Sequence, residues 1–303
     1  AFNPPAQSDQ MTKILIICGP TATGKTALAA RLAKKFKGEL ISADSRQIYQ
    51  SMNIVTGKDR PKGVIIHGLD LVKPDENFSV AHFVAHARTL INQIIKRKKL
   101  PILVGGTGLY INSLINPPKT LSIKPNWQLR KKLEKKTIKQ LQQQLKKINQ
   151  DKWQSMNHSD QLNPRRLIRA IEVALQGVSS QASAKRLLNG KYDCLWIGLT
   201  ADKKTLDRRI AQRVKARVKA GAFQEWENLK KKYPSDLPSM SGIGYRQIGQ
   251  YLKGELTLEA AVEKIKFETH RVARHQYAWF RLNDERIRWV EVDKDAETEV
   301  KKL

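Results

Sequence analysis

Near the start of this 303-residue chain, Lys13 to Gly19 (KILIICG) is an apolar run ending in a glycine turn, and from Lys25 to Phe36 alanine and leucine recur at helical spacing. The segment joining them, Gly19-Pro20-Thr21-Ala22-Thr23-Gly24-Lys25-Thr26, fits G-x-x-x-x-G-K-[ST]. Strand, loop and helix in that order restrict the fold strongly, because such a loop works only when a strand holds it at a sheet edge and a helix presents free N–H groups to its centre. Glycine lets the backbone close around a phosphate, Lys25 adds a point charge, and Thr26 offers a hydroxyl to Mg²⁺. Gly19 to Thr26 are therefore candidate ligands of a di- or triphosphate, with Thr26 the candidate metal ligand.

Further short, β-branched runs follow at Leu40 to Ala43, Val64 to Ile66, Ile102 to Val104, Leu195 to Leu199 and Ile287 to Val292, separated by helical stretches such as Val80 to Arg97. This alternation predicts an α/β fold, a P-loop NTPase-like parallel sheet flanked by helices. Helices are predicted over 202–233 and 258–282. The middle differs: Leu129 and Leu133, then Ile138, Leu141, Leu145 and Ile148, are spaced by three and four with no strand-like run. The expected domains are a core of 11–115 and 189–303, an all-helical insertion at 116–188, and a disordered leader at 1–10.

Charge narrows the partner. Lys and Arg number 56 against 28 Asp and Glu, a formal net charge of +28, and Lys119 to Lys152 alone carries eleven basic residues against Glu134 and Asp151. A polyanion is the expected partner. No apolar run approaches the roughly 18–20 residues of a membrane span, so no membrane contact is expected. Cys18 and Cys194 are far apart in apolar runs, which predicts buried thiols in a cytoplasmic protein.

The chemistry at the phosphate site depends on a carboxylate. The strand at Pro101 to Val104 runs into Gly105-Gly106-Thr107-Gly108 without one, whereas Leu40-Ile41-Ser42-Ala43 ends in Asp44. Asp44 is open to three readings: a Mg²⁺ ligand as in a kinase, a general base, or the N-cap of a following helix.

These segments together resemble the tRNA dimethylallyltransferase (tRNA isopentenyltransferase) family, bacterial type. The resemblance rests on GPTATGKT, on Asp44-Ser45-Arg46-Gln47-Ile48-Tyr49, on PILVGGTGLY at 101–110, on RRLIRAIEV at 165–173, on Gly242-Ile243-Gly244-Tyr245-Arg246 and on the Arg271 to Arg281 segment. It implies transfer of a dimethylallyl group from dimethylallyl diphosphate to N6 of adenine-37 of tRNA, with Mg²⁺ as cofactor and a monomeric enzyme. It further implies Asp44 as general base, Thr21 and Thr107 lining the channel where the substrates meet, and Lys25 and Arg213 on the leaving diphosphate. Arg213 is one of three arginines, with Arg209 and Arg217, that share a helical face.

The same resemblance implies tRNA contacts at Asp44, Ser45, Arg46, Gln47, Arg130, Arg165, Arg166, Arg169, Gly244, Arg246, Arg271, Arg274, His275 and Gln276. It departs from the family pattern at His275 and Ala278, where an arginine and a threonine are usual. On the last long helix Val262, Ile265, Thr269, Val272, Gln276 and Trp279 form one stripe, read as core, beside a basic set of Lys264, Arg271, Arg274, His275 and Arg281. Three other functions compete: prenyl transfer to free AMP, ADP or ATP, a P-loop small-molecule kinase, and an RNA-binding protein with an inactive phosphate site.

Overall fold

A computed structural model describes residues 11–176 and 192–292; the expected leader and the expected end of the insertion near 188 lie outside them. In the first unit, strands β1 (Thr12–Cys18), β2 (Gly38–Ser42), β3 (Ile66–His67), β4 (Leu100–Val104), β5 (Tyr192–Thr200) and β6 (Ile287–Glu291) form one sheet in the order β3-β2-β4-β1-β5-β6. Every pairing is parallel, with Ile16 opposite Leu103 on one side and Trp196 on the other. The expected α/β architecture is the observed one.

Parallel strands need crossovers that cover both faces, which is why β1 is buried continuously from Ile14 to Cys18 rather than at alternate residues. Helix α1 (Lys25–Lys35) covers one face through Leu28, Ala29, Leu32 and Ala33, packed with Leu15, Leu40, Ile102 and Ile197. Helices α2 (Val80–Lys96) and α3 (Gly108–Ile115) pack together, Phe83 stacking on Tyr110 at 4.2 Å. The expected third strand shrinks to two residues because most of 43–79 is loop and turn.

The second unit, 116–190, is helical in its described residues: α4 (Trp127–Glu134), α5 (Ile138–Ile148), α6 (Gln150–Ser155), α7 (His158–Gln161) and α8 (Pro164–Leu175). Each opens on a short polar N-cap, at Asn126, Thr137, Asn149, Asn157 and Asn163. Leu133, Leu141, Leu145, Met156, Leu167, Ile168 and Ile171 are its core.

After β5 the first unit continues with α9 (Lys203–Lys219), α10 (Ala222–Lys230), α11 (Tyr245–Leu252) and α12 (Leu258–Trp279). The helix predicted over 202–233 divides at Gly221, whose φ of +98° breaks the helical path. The stripe on α12 requires a larger correction. Ile265 is buried, but Val272 and Trp279 are 36% and 44% exposed and line a pocket. Periodicity identifies an apolar face; it does not distinguish a neighbour that is core from one that is a cavity. Cys194 is likewise only half-buried, while Cys18 is buried as expected. Among the described residues no helix is long and apolar enough to cross a membrane.

Candidate active site

The C-terminal edge of the sheet brings together loops from three neighbouring strands. β1 delivers the glycine loop, β2 delivers Asp44, and β4 delivers Gly105 to Thr107. The backbone interlocks them: Gly105 N–H donates to Ile17 O at 3.1 Å, and Thr107 N–H to Ala43 O at 3.2 Å. A Cβ at Gly19 would lie 2.3 Å from Leu199 O, so the loop rests directly on β5 and only glycine fits.

Within the loop, Thr23 Oγ1 donates to Pro20 O at 2.9 Å and Lys25 Nζ to the same oxygen at 2.5 Å. Burial and the Arg213 charge push the Lys25 ammonium down to about 8, against an opposing pull from Asp44. An anion in the loop would raise it again. Gln276 on α12 accepts from Thr21 N–H at 2.7 Å and donates to Gly106 O at 3.1 Å, tying the β1 and β4 loops to each other. Its place in the apolar stripe and in the expected RNA contacts gave no sign of this. The Gln276 amide is committed to the backbone of the site.

Two cavities share this edge. One, of about 130 Å³, is lined by Thr21, Lys25, Thr26, Ser42, Asp44, Gln47 and Asp59. The other, of about 550 Å³, runs past Ser45, Arg46, Thr107, Arg217, Gly244, Tyr245, Arg246, His275 and Trp279. Asp44, Thr21, Gly106, Arg213 and Gln276 line both. Asp44 Oδ1 accepts from Arg46 N–H at 2.8 Å in a local turn and no helix begins there, which removes the N-cap reading. Thr107 Oγ1 accepts from Ser45 N–H at 3.1 Å, and Arg213 Nη1 donates to Thr21 Oγ1 at 3.0 Å.

The second unit uses its expected arginines differently. Glu172 is fully buried, and Arg130 grips it through Nε at 2.9 Å and Nη2 at 2.6 Å, while Arg169 Nη1 bonds the same carboxylate and Arg169 Nη2 reaches Thr120 O at 2.7 Å. Burial alone would raise the Glu172 carboxyl; these donors and Asn126 N–H outweigh it and hold it below the ordinary range. Arg130 braces α4 to α8, and Arg169 ties α8 to the 120–123 segment. Arg166 pairs with Asp160, and Arg165 is exposed.

A residue the sequence reading passed over is Glu225 on α10. Its Oε2 accepts from the backbone of Asn53 at 2.7 Å and Ile54 at 2.6 Å, and its Oε1 from Val55 N–H at 3.1 Å and Tyr245 Oη at 2.6 Å. A carboxylate far along the chain thus holds a loop with no regular structure, and no local pattern announces such a contact.

Residues 47–283 match the IPP transferase family model, and residues 12–72 the isopentenyl transferase model. A tRNA dimethylallyltransferase of Acetivibrio thermocellus is 40% identical over 294 residues, covering 93% of each chain, and that of Alkaliphilus oremlandii is 41% identical over 287 residues, covering 91% of this chain and 90% of its own. The crystal structure of the tRNA isopentenylpyrophosphate transferase of Bacillus halodurans superposes with a TM-score of 0.70 at 35% identity, covering 96% of this chain and 93% of that one. A eukaryotic dimethylallyltransferase acting on tRNA gives 0.79 at 25% identity, over 95% and 77%. The chain belongs to the IPP transferase family, together with the bacterial tRNA dimethylallyltransferases.

Proposed function

We propose that this protein transfers a dimethylallyl group from dimethylallyl diphosphate to N6 of adenine-37, beside the tRNA anticodon. The carrying observation is that Asp44 stands where a small phosphate-type cavity opens into a wide channel. The reaction breaks the allylic C–O bond and forms a C–N bond at N6. The electron pair of the broken bond leaves on the diphosphate, where loop N–H groups, Lys25 and Arg213 meet the growing charge. N6 loses a proton as it bonds, and the Asp44 carboxylate is the acceptor placed between the two cavities.

The donor set fits Mg²⁺, which favours one or two protein oxygens plus phosphate oxygens and water. The Thr26 hydroxyl would hold it, with the Asp44 carboxylate facing the same cavity, and when bound it neutralises phosphate charge. Among the described residues no cluster of three His, Cys, Asp or Glu offers an all-protein metal cage.

A base stacked in an anticodon loop has to be everted to reach such a channel. Ser45, Arg46, Gly244, Arg246, His275 and Trp279 surround its wall, and Arg271 and Arg274 are exposed on the same helix. Gln47 lies deeper, donating to Gly57 O at 2.9 Å. These groups, with Arg165 and the lysine-rich surface of the second unit, supply the RNA-facing charge.

The test is nucleoside mass spectrometry of an anticodon stem-loop incubated with protein, Mg²⁺ and dimethylallyl diphosphate, with AMP as competing acceptor. Modification of adenine-37 is expected in the stem-loop, and Asp44→Asn should lower the rate about 10²- to 10⁴-fold while retaining pyrophosphate binding. Full activity in that variant removes Asp44 from proton transfer, and preferential modification of AMP overturns the RNA acceptor.

A further inference from the structure

The face of α9 carries Arg209, Arg213 and Arg217, and their guanidiniums reach different places. Arg209 Nη1 is 3.5 Å from Thr23 O, and Arg213 binds Thr21 and lines both cavities. Arg217 lines only the wide channel, whose wall also carries Val55, Val214, Tyr245, Asp44 and Glu268. Gly57, at φ +66°, explains how two of these cations are accommodated together. A Cβ built there would lie 2.0 Å from Arg217 Nη2 and 2.7 Å from Arg213 Nη2. The two guanidiniums therefore converge on one point, over a residue with no side chain to separate them.

Like charges at close range repel, and a protein normally places a carboxylate between them. Here neither arginine forms an ion pair with a described residue, and Arg217 donates no hydrogen bond to one. Burial, together with the Arg213 charge, pushes the Arg217 guanidinium below its ordinary range, with Asp44 and Asp59 acting in the opposite sense. The missing complement is an anion with several oxygens, which two guanidiniums grip in a way one lysine cannot.

We propose that Arg217 is a second diphosphate-binding arginine, forming with Arg213, where the two guanidiniums pass over Gly57, a subsite for the phosphoryl group that the glycine loop does not hold. The assignment rests on the prenyl-transfer reading. It places the pair beside the diphosphate as its charge rises, when the allylic C–O bond has broken, so their mutual repulsion is relieved most by the product-like state. Gly57 is the corresponding steric requirement.

Calorimetric titration of the full chain with inorganic pyrophosphate, and separately with the anticodon stem-loop, tests this. Arg217→Met should weaken pyrophosphate binding on the order of 10- to 100-fold and leave stem-loop affinity within twofold. Arg217→Lys should recover part of the loss, and Gly57→Ala should reproduce it with both arginines intact. Unchanged pyrophosphate affinity in Arg217→Met overturns the subsite while leaving the transfer reading in place. Parallel loss of both ligands overturns it in favour of a purely structural role, as does failure of Arg217→Lys to recover any binding. If the unaltered protein binds no pyrophosphate at all, the transfer reading fails as well.

Discussion

Replacing Glu225 with alanine removes one acceptor that serves four donors: three consecutive backbone N–H groups at 53–55 and the Tyr245 hydroxyl. Hydrogen bonds to a charged acceptor contribute about 1.5–3 kcal/mol each. Asn53 is exposed and water replaces its bond at little cost, whereas Tyr245 is buried. Counting about half of the four gives a loss of roughly 3–6 kcal/mol. Burial and Glu225 already hold the Tyr245 hydroxyl far above its usual range, so that donor has no easy substitute. Urea denaturation followed by tryptophan fluorescence is a suitable assay, because Trp226 is buried beside Glu225 on α10. The loop that Glu225 fastens continues into Gly57, so pyrophosphate affinity should fall in the same variant, with Glu225→Gln intermediate in both measurements. A stability loss below about 1 kcal/mol would show that water or a local rearrangement satisfies the loop, and the bracing argument would be wrong.

Lys25 makes diphosphate binding pH-dependent: with a pKa lowered to about 8, the free site loses its charge above that pH, and binding must then take up a proton. Pyrophosphate affinity should hold below pH 8 and weaken as pH rises beyond it, by up to about tenfold per unit; a flat profile from pH 7 to 9.5 refutes this. The sign for folding is opposite, since a lowered lysine pKa means that the unfolded chain binds more protons between about 8 and 10.5, so this group's contribution to stability rises through that window. Glu172→Ala leaves Arg130 and Arg169 without their shared carboxylate and should cost roughly 3–5 kcal/mol, read as a loss of the second unit's helix signal; a variant as stable as the original would mean that both arginines find new partners. Gly106→Ala places a Cβ 2.0 Å from Gln276 Nε2, and should slow prenyl transfer at least tenfold through displacement of the amide that holds Thr21; Gln276→Ala combined with Gly106→Ala should then be no slower than Gly106→Ala alone, and a further loss would show that the two do not act through one contact.

Local signals carried a large part of this molecule. The glycine loop, the carboxylate after the second strand and the apolar strand runs depend on residues adjacent in the chain, so their chemistry can be read in place. The helical insertion was equally visible, although Asn126, Thr137, Asn149, Asn157 and Asn163 divide it more finely than hydrophobic spacing indicated. What escaped were the long-range polar contacts. Gln276 meets Thr21 across 255 positions and Glu225 meets Asn53 across 172, and no periodicity encodes such pairs. Arg130 and Arg169 show the reverse difficulty: a motif marks the residue type, but the fold decides whether the charge faces a ligand or a buried partner such as Glu172.

The path of the chain through the sheet bears on how synthesis relates to competence. β1 emerges early, yet its neighbour β5, paired from Thr12 to Tyr192 onward, arrives only after the whole helical unit has been made. Gly19 leans on Leu199, and Thr21 is latched by Gln276 from 255 positions further along. A nascent polypeptide therefore carries the complete glycine signature long before it owns a finished anion grip, and contacts so distant in order form late and slowly. Capture of diphosphate thereby reports that synthesis has passed Gln276.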